Sequence, residues 1–282
     1  MNTRARVTKL IEDFMNDPKN NRIAPNSDSP AFDTPLVGFC RGDDPLLEEF
    51  KQHIGPFYWT PLEILQLEYP ETEFSPQNLS VITWILPQTK ATRDEQRKCR
   101  ELPGRLWSQN RYYGEAANHS LREHVQAWLR ESGIAAISPL LSPHWSVTQS
   151  ETCGIASNWS ERHAAHACGL GTFGLCDGLI TPKGKAVRIG SVVAAVDIES
   201  TPRPYSDLHA YCLFYSTGTC VSCINRCPAG AISEAGHDKQ KCMNYIRKVT
   251  APYVKKELGV EATPCGLCQV GVPCESKIPV KR

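Results

Sequence analysis

The cysteine spacing between residues 212 and 274 constrains this chain more than any other feature of its 282 residues. Eight of the thirteen cysteines fall in this stretch, and Cys220, Cys223 and Cys227 form the run C-x2-C-x3-C-P. That run matches the last three cysteines of the bacterial pattern C-x2-C-x2-C-x3-C-P, which binds iron–sulfur clusters. The spacing therefore predicts [4Fe-4S] ligation in the C-terminal part of the chain.

The first cysteine of that pattern is missing, because Thr217 occupies its position and cannot supply a thiolate. We assign its role to Cys212, which lies upstream. In two-cluster modules the cysteine before the proline crosses over to the other cluster. The same crossing predicts one cluster on Cys212, Cys220, Cys223 and Cys274, and a second cluster on Cys227, Cys242, Cys265 and Cys268.

Two other uses of these cysteines compete with iron–sulfur ligation. Zinc also binds paired C-x2-C elements, but the Cys227-Pro228 step and the count of eight favour iron–sulfur. A disulfide framework fits less well, since no secretory segment is recognised before the cysteines and a reducing compartment keeps thiols reduced. The remaining cysteines are expected to be small buried or unreactive residues: Cys40, Cys99, Cys153, Cys168 and Cys176. Among them Cys153, beside Gly154 in a polar loop, is the candidate for reactivity.

Net charge and hydropathy indicate no particular class of partner. The chain has 31 basic and 30 acidic residues, so its net charge points to neither nucleic acid nor a membrane surface. The N-terminal sequence resembles no export signal, and no apolar run approaches the roughly 18 residues of a membrane-spanning helix. We therefore expect a cytoplasmic protein without a membrane partner.

Hydrophobic periodicity predicts a layered α/β domain over residues 1–200, followed by a cysteine-rich domain over residues 201–282. One helix after Gly114 carries an apolar face on Leu121, Val125, Trp128 and Leu129, with Arg122 on its polar face. Other helices are predicted at 5–15, 91–101 and 158–168, and two more begin at Pro45 and Pro61. Strands are predicted at 36–39, 79–86, 134–138, 175–181 and 187–196. Residues 17–35 are predicted to form a surface connection.

The glycine turn Gly169-Leu-Gly-Thr-Phe-Gly174 formally matches the dinucleotide pattern G-x-G-x-x-G. That motif needs a strand before it and a helix after it, and here the predicted order is reversed, so we reject nucleotide binding. Either a tight turn from helix to strand or a close approach of bare backbone to a large ligand explains the glycines. His163 and His166, on the preceding helix, are expected to pack rather than to bind metal.

These residues resemble the superfamily of epoxyqueuosine reductases and corrinoid reductive dehalogenases. The resemblance covers residues 105–280 and rests on Tyr112, WLRESG at 128–133, SERHAAHACGLGTFG at 160–174, LITPKG at 179–184, RIGSV at 188–192 and the eight cysteines. It implies a nitroreductase-like layered α/β domain, then a bacterial-ferredoxin-like module with two [4Fe-4S] clusters, and a cobalamin held between them. By the same resemblance Gly169, Gly171, Thr172, Phe173 and Gly174 would line the corrinoid, and Tyr112 or Tyr113 would lie near its upper face.

The sequence also departs from that superfamily. Ala117 aligns with the aspartate that donates a proton in epoxyqueuosine reductases. The helical-repeat extension that some of those enzymes use for tRNA is not recognised, so tRNA is not the favoured partner. The export signals of respiratory dehalogenases are not recognised either.

Two hypotheses follow. The leading one is an oxidoreductase that receives electrons from a ferredoxin- or flavodoxin-type donor and reduces a small organic substrate, with Tyr112, Tyr113 and Glu115 as candidate catalytic residues and His119 nearby. The alternative is a ferredoxin-like electron carrier or corrinoid reductase that serves a partner protein and has no substrate of its own.

Overall fold

The computed structural model describes residues 2–279. Met1 and residues 280–282, the last three of the predicted cysteine-rich domain, lie outside the described residues. We call residues 2–200 the sheet region and residues 201–279 the cysteine segment.

The main sheet has four antiparallel strands in the order β1-β2-β8-β3. Short two-stranded sheets pair β4 with β5, β6 with β7, and β9 with β10. The strands are β1 (Leu36–Arg41), β2 (Ser80–Pro87), β3 (Ala136–Ile137), β4 (Val147–Ser150), β5 (Gly154–Ser157), β6 (Thr172–Phe173), β7 (Leu179–Ile180), β8 (Val187–Ala194), β9 (Ile232–Ser233) and β10 (Gly236–His237).

Strand β2 is the centre of the core, because all eight of its residues are buried. Its side chains alternate between two hydrophobic clusters: Val81 and Ile85 belong to one, and Ile82 and Trp84 to the other. Helices α2, α3 and α7 cover the first face, and α1 and α6 the second. The apolar, β-branched sequence of β2 thus forms the middle of a three-layer arrangement, as the sequence predicted.

Eleven α-helices lie within residues 2–279. They are α1 (Thr3–Asn16), α2 (Pro45–Ile54), α3 (Pro61–Glu68), α4 (Lys90–Lys98), α5 (Arg105–Gln109), α6 (Glu115–Glu131), α7 (Glu161–Ala167), α8 (Leu213–Thr217), α9 (Ser222–Arg226), α10 (Lys239–Tyr245) and α11 (Ala251–Leu258). Each of these helices is too short or too polar to cross a membrane.

Helix boundaries follow local capping chemistry. The Asp44 side chain caps α2 ahead of Pro45, and Thr60 and Glu63 form a reciprocal capping box at α3. The helix predicted at 158–168 begins later, at Glu161, because Ser160 caps it, and the Asn158 side chain instead donates to the His144 carbonyl oxygen at 2.8 Å.

Three other predictions need correction. The strand predicted at 175–181 is confined to β7, because the residues before it form a turn in which Gly174 N donates to Gly178 O at 2.9 Å. The connection at 17–35 is only partly on the surface, since Phe32 is buried and its backbone N donates to the buried Asn21 side chain. Arg122, predicted on the polar face of α6, is buried among acidic partners.

Candidate functional site

The first predicted set of four cysteines surrounds one cavity. Cys212, Cys220, Cys223 and Cys274 all line it, and the enclosed space is about 20 Å³. Cys212 lies just before α8 and Cys223 lies within α9, while Cys274 comes from the loop near the end of the chain. The fold therefore brings together cysteines that are up to 62 positions apart in the sequence.

The second predicted set lines a separate cavity of about 420 Å³, formed in part by Cys227, Cys242, Cys265 and Cys268. Gln88 and Arg188 also line it, and each keeps one buried polar atom, Oε1 and Nε respectively, without a hydrogen-bond partner among the described residues. Buried polar groups are normally paired. Four thiols with an unpaired donor and acceptor nearby suit a polar inorganic cluster or cofactor.

Polar contacts fix the loops that carry the second set. The Arg226 guanidinium donates to the carbonyl oxygens of Leu267 (3.2 Å) and Val270 (3.0 Å) on one side and of Cys99 (2.8 Å) on the other. Gln96 Nε2 donates to the Cys265 carbonyl oxygen at 2.7 Å. Helix α4 of the sheet region is thereby joined directly to the loop around Cys265 and Cys268.

Gly266 shows how closely this loop approaches the sheet region. It has φ +64°, and an added Cβ would lie 2.0 Å from Cζ2 of the Trp107 ring. Only glycine meets both demands, a left-handed backbone and no side chain. The C-x2-C element Cys265-Gly266-Leu267-Cys268 is therefore shaped by its contact with Trp107.

Cys176 and Lys185 are site residues that sequence reasoning missed. Cys176, expected to be unreactive, is buried and lines the second cavity, and Lys185 lines the first. The Lys185 ammonium donates to Cys176 Sγ at 3.1 Å. Burial alone would lower the pKa of Lys185, but the negative charge of Cys176 and of Cys274 outweighs it and raises that pKa. The available signal was a lysine directly after LITPKG with a cysteine nine residues before it, on the other side of β7.

His237 borders the second cavity beside Cys242. Burial acts to lower its pKa, but hydrogen bonds to the Asp177 carboxylate (3.0 Å) and to Cys242 outweigh burial and raise the pKa to about 10. Within residues 2–279, no three His, Cys, Asp or Glu side chains form a group that could hold a single metal ion.

A groove of about 910 Å³ lies next to the second cavity, between α6 and helix α11 of the cysteine segment. Arg111 and Thr263 line both the groove and the cavity, and Arg111 Nη2 donates to Thr263 Oγ1 at 3.4 Å. Arg111 belongs to the π-helical turn Asn110–Gly114, a type of bulge that is frequent at functional sites. This shared wall places the second set of cysteines beside the groove.

The candidate catalytic residues divide between two depressions. Tyr112, Glu115 and His119 line the groove, and Tyr112 is 43% exposed. Tyr113 lines a neighbouring depression of about 430 Å³ with Tyr253. The two tyrosine rings contact edge to face, with centroids 5.0 Å apart. The structure therefore brings three of the four residues to one groove and places Tyr113 behind them.

Glu115 is held by arginines rather than free in the groove. Its carboxylate accepts from Arg188 Nη1 at 2.9 Å and from Arg122 Nη1 at 3.1 Å, and it lies 3.4 Å from Arg111 Nη1. Burial acts to raise the pKa of Glu115, but these arginines outweigh it, so the pKa is lowered. Glu115 is therefore ionised at neutral pH and cannot deliver a proton there.

Ala117, aligned with the proton-donating aspartate, lies on the other side of α6. Its side chain packs in the interior, whereas Glu115, Ala116, His119 and Ser120 face the groove. A carboxylate at position 117 would be buried on the sheet side. The alanine at position 117 in place of an aspartate therefore does not bear on the chemistry of the groove.

The glycine turn is filled by the protein itself. An added Cβ would lie 2.7 Å from Pro202 O at Gly169 and 2.4 Å from Ile180 O at Gly171, while Thr172 and Phe173 are buried in β6. Gly174 lines the first cysteine cavity. These contacts support the tight-turn interpretation of the glycines. The predicted order, with a helix before the turn and a strand after it, is confirmed by α7 and β7.

The two histidines of α7 have packing roles. His163 lies against the rings of Phe50 and Phe173, with centroids 4.8 and 4.7 Å away, and burial lowers its pKa well below the usual range. His166 Nδ1 is 2.8 Å from Gly171 O, so its ring supports the glycine turn. Cys40 and Cys168 are buried in the core, and Cys99 and Cys153 are half-buried.

The layered sheet region followed by the cysteine segment defines a fold that is similar to that of solved reductive dehalogenases. The nitroreductase-like α/β architecture with a ferredoxin-like module, expected from sequence, is confirmed at the level of fold. No family model and no curated protein sequence matches the chain.

Three solved structures illustrate the likeness. A catabolic reductive dehalogenase has a TM-score of 0.54 at 15% identity, over 97% of this chain and 37% of its own. A reductive dehalogenase described for B12-dependent dehalogenation has a TM-score of 0.52 at 16% identity, over 87% of this chain and 30% of its own. An epoxyqueuosine reductase with a modified tRNA-Tyr stem loop has a TM-score of 0.48 at 18% identity, over 98% and 68%. The chain spans less than two fifths of these dehalogenases.

Proposed function

We propose that this protein is an iron–sulfur oxidoreductase that passes electrons through two [4Fe-4S] clusters to a cobalamin and reduces a small organic substrate. The proposal rests on two cavities, each of which is lined by one predicted set of four cysteines. The second cavity shares the wall formed by Arg111 and Thr263 with the groove. The division into domains at residues 1–200 and 201–282 is part of the same proposal.

The residues fit the proposed groups by their chemistry. The first cavity is lined by four cysteines and the second by five, the four of the predicted set and Cys176. Ala231 N donates to Cys227 Sγ at 3.3 Å, the kind of backbone contact that accompanies cluster sulfurs. The groove between α6 and α11 offers the space for a large cofactor. When bound, the clusters and the cobalamin would supply electron transfer and bond cleavage.

The chain's own residues would bind the substrate and supply a proton. Tyr112 and His119 face the groove and carry exchangeable protons, so we assign the proton to one of them. Glu115 holds Arg111 and Arg188 at the wall between groove and cavity. Tyr113 packs on Tyr112 and positions its ring.

Anaerobic reconstitution with iron and sulfide tests the proposal. We expect eight irons per chain and a broad absorbance near 400 nm, and then a stoichiometric corrin band on addition of cobalamin. A protein that fills with zinc without this absorbance would contradict the clusters. Iron uptake without corrin binding would instead favour the alternative, a carrier or corrinoid reductase that passes electrons to a partner protein.

Replacement of Cys212 by Ala tests the ligand assignment. We expect one cluster to be lost and the other kept, so that the iron content falls to about half, because Cys212 lines only the first of the two cavities. Cys40→Ala is the matched control, since Cys40 is buried in the sheet region. An unchanged iron content in Cys212→Ala would assign the fourth ligand elsewhere.

A further inference from the structure

Lys185 is a buried lysine located between the two cysteine cavities. Only 3% of its surface is exposed, and it lines the first cavity together with Cys223 and Cys274. Its ammonium donates at 3.1 Å to Cys176 Sγ, which belongs to the wall of the second cavity. The Lys185–Cys176 contact therefore joins the walls of both cavities.

The backbone holds Lys185 in this place. Lys185 N donates to Cys274 O at 2.9 Å, and the next residue, Ala186 N, donates to Glu275 O at 3.1 Å. The lysine is thereby paired with the loop that carries one of the proposed cluster ligands. These backbone bonds fix the Cα of Lys185, and the burial of its side chain and the contact with Cys176 keep the ammonium at the cavities.

A buried ammonium is costly unless an opposite charge compensates for it. Among the described residues, no carboxylate lies within the ion-pair distance of 4.0 Å from Lys185. The nearby groups that can carry negative charge are the sulfurs of Cys176, Cys223, Cys268 and Cys274. Cys176 contacts the ammonium directly, and the other three belong to the two proposed ligand sets, so loaded clusters would add further countercharge to Lys185.

We infer that Lys185 is a shared countercharge that raises the reduction potential of both clusters without being a ligand of either. The inference rests on the proposed function, because it requires that the clusters bind. Each cluster accepts one electron from a low-potential donor of the ferredoxin or flavodoxin type, with no bond formed and no proton taken up, so its charge becomes more negative by one. A fixed positive charge in a low-dielectric interior stabilises that reduced state.

The test compares three variants in the reconstituted full-length protein, by iron and sulfide analysis and by reductive titration with dithionite monitored by electron paramagnetic resonance. Lys185→Met removes the charge and keeps the length of the side chain, and Lys185→Arg keeps the charge. Lys183→Met is the matched control, because Lys183 is exposed in the same turn and its loss changes the net charge equally.

We expect Lys185→Met to hold eight irons and to be reduced about tenfold less favourably at each cluster, which is a fall of about 59 mV for a one-electron couple. Lys185→Arg should retain most of the wild-type potential, and Lys183→Met should differ little from wild type. If Lys185→Met holds no iron, Lys185→Gln is used as the uncharged variant, and its cluster reduction potentials are compared with those of wild type.

Three results would overturn the inference in distinguishable ways. A wild-type protein that takes up no iron overturns the proposed function and the inference together. If wild type and Lys185→Met both hold eight irons and their clusters have equal reduction potentials, the inference is overturned and the proposed function is not. A fall as large in Lys183→Met would also overturn it, because net charge rather than position would then set the potential.

Discussion

The sheet region and the cysteine segment are stabilised by different means. Strands β2 and β8 are packed on both faces by aliphatic and aromatic side chains, among them the fully buried Trp84 and Leu86. In the cluster of buried residues that extends into the cysteine segment, Cys176, Cys212, Cys223 and Cys274 make up half of the members. A core of thiols buries little apolar surface, so we expect this segment to depend on what the thiols bind.

Removal of iron from the reconstituted protein should produce the largest difference in stability between the sheet region and the cysteine segment. We expect backbone amides in residues 212–274 to exchange at least a thousandfold faster after anaerobic chelation, about 4 kcal/mol of local opening free energy, because metal binding and folding are coupled. Amides of β2 and β8 should keep their protection. Hydrogen exchange followed by mass spectrometry measures both regions in one sample. Equal changes in the two regions would show that their stabilities are not separate.

Glu275→Gln should have the next largest effect, at the junction of the two regions. Glu275 is buried, accepts from Gly271 N at 2.7 Å and pairs with Arg97 and Arg93 of α4. Because Arg97 is half exposed, we expect a loss of about 2–3 kcal/mol in the free energy of unfolding, below the full cost of breaking a buried pair. Urea unfolding measures it. The control Glu234→Gln changes an exposed acid of the same segment and should be neutral.

Trp84→Phe tests the sheet region alone. The indole Nε1 donates to Asn118 Oδ1 at 2.8 Å in the interior, so the variant leaves that oxygen unpaired at a cost of about 1–2 kcal/mol. Iron content should not change. A second variant, Trp84→Phe with Asn118→Leu, removes both partners and should recover part of the loss. A fall in iron content would mean that the sheet core also shapes the cysteine cavities.

Glu115→Gln should have the smallest effect and one that depends on pH. The folded pKa of Glu115 lies below its ordinary value of 4.5, so its stabilising contribution is present above about pH 4.5 and is lost as the pH falls through the folded pKa. The stability difference between wild type and variant should therefore shrink from pH 7 to lower pH. Urea midpoints across this range measure it. A constant difference would mean that Glu115 acts by packing rather than by charge.

Local patterns allowed much of the fold to be predicted. The strand β2 and the helices that begin at Pro45 and Pro61 depend on neighbours in the sequence, and each is present in the structure. Predictions failed where distant residues intervene. Arg122 is on the polar side of α6 by periodicity, but Glu161 of another helix pairs with it at 3.2 Å and makes its burial favourable.

The sequence by itself indicated the eight candidate cysteines and the layered α/β architecture, because spacing and hydrophobic period are local properties of the chain. Only the tertiary structure decided that Cys176 and Lys185 lie between the two cavities, that Arg111 and Thr263 join one cavity to the groove, and that Ala117 faces away from it. These relations depend on contacts between residues far apart in sequence, and such contacts are fixed by packing rather than by any single segment.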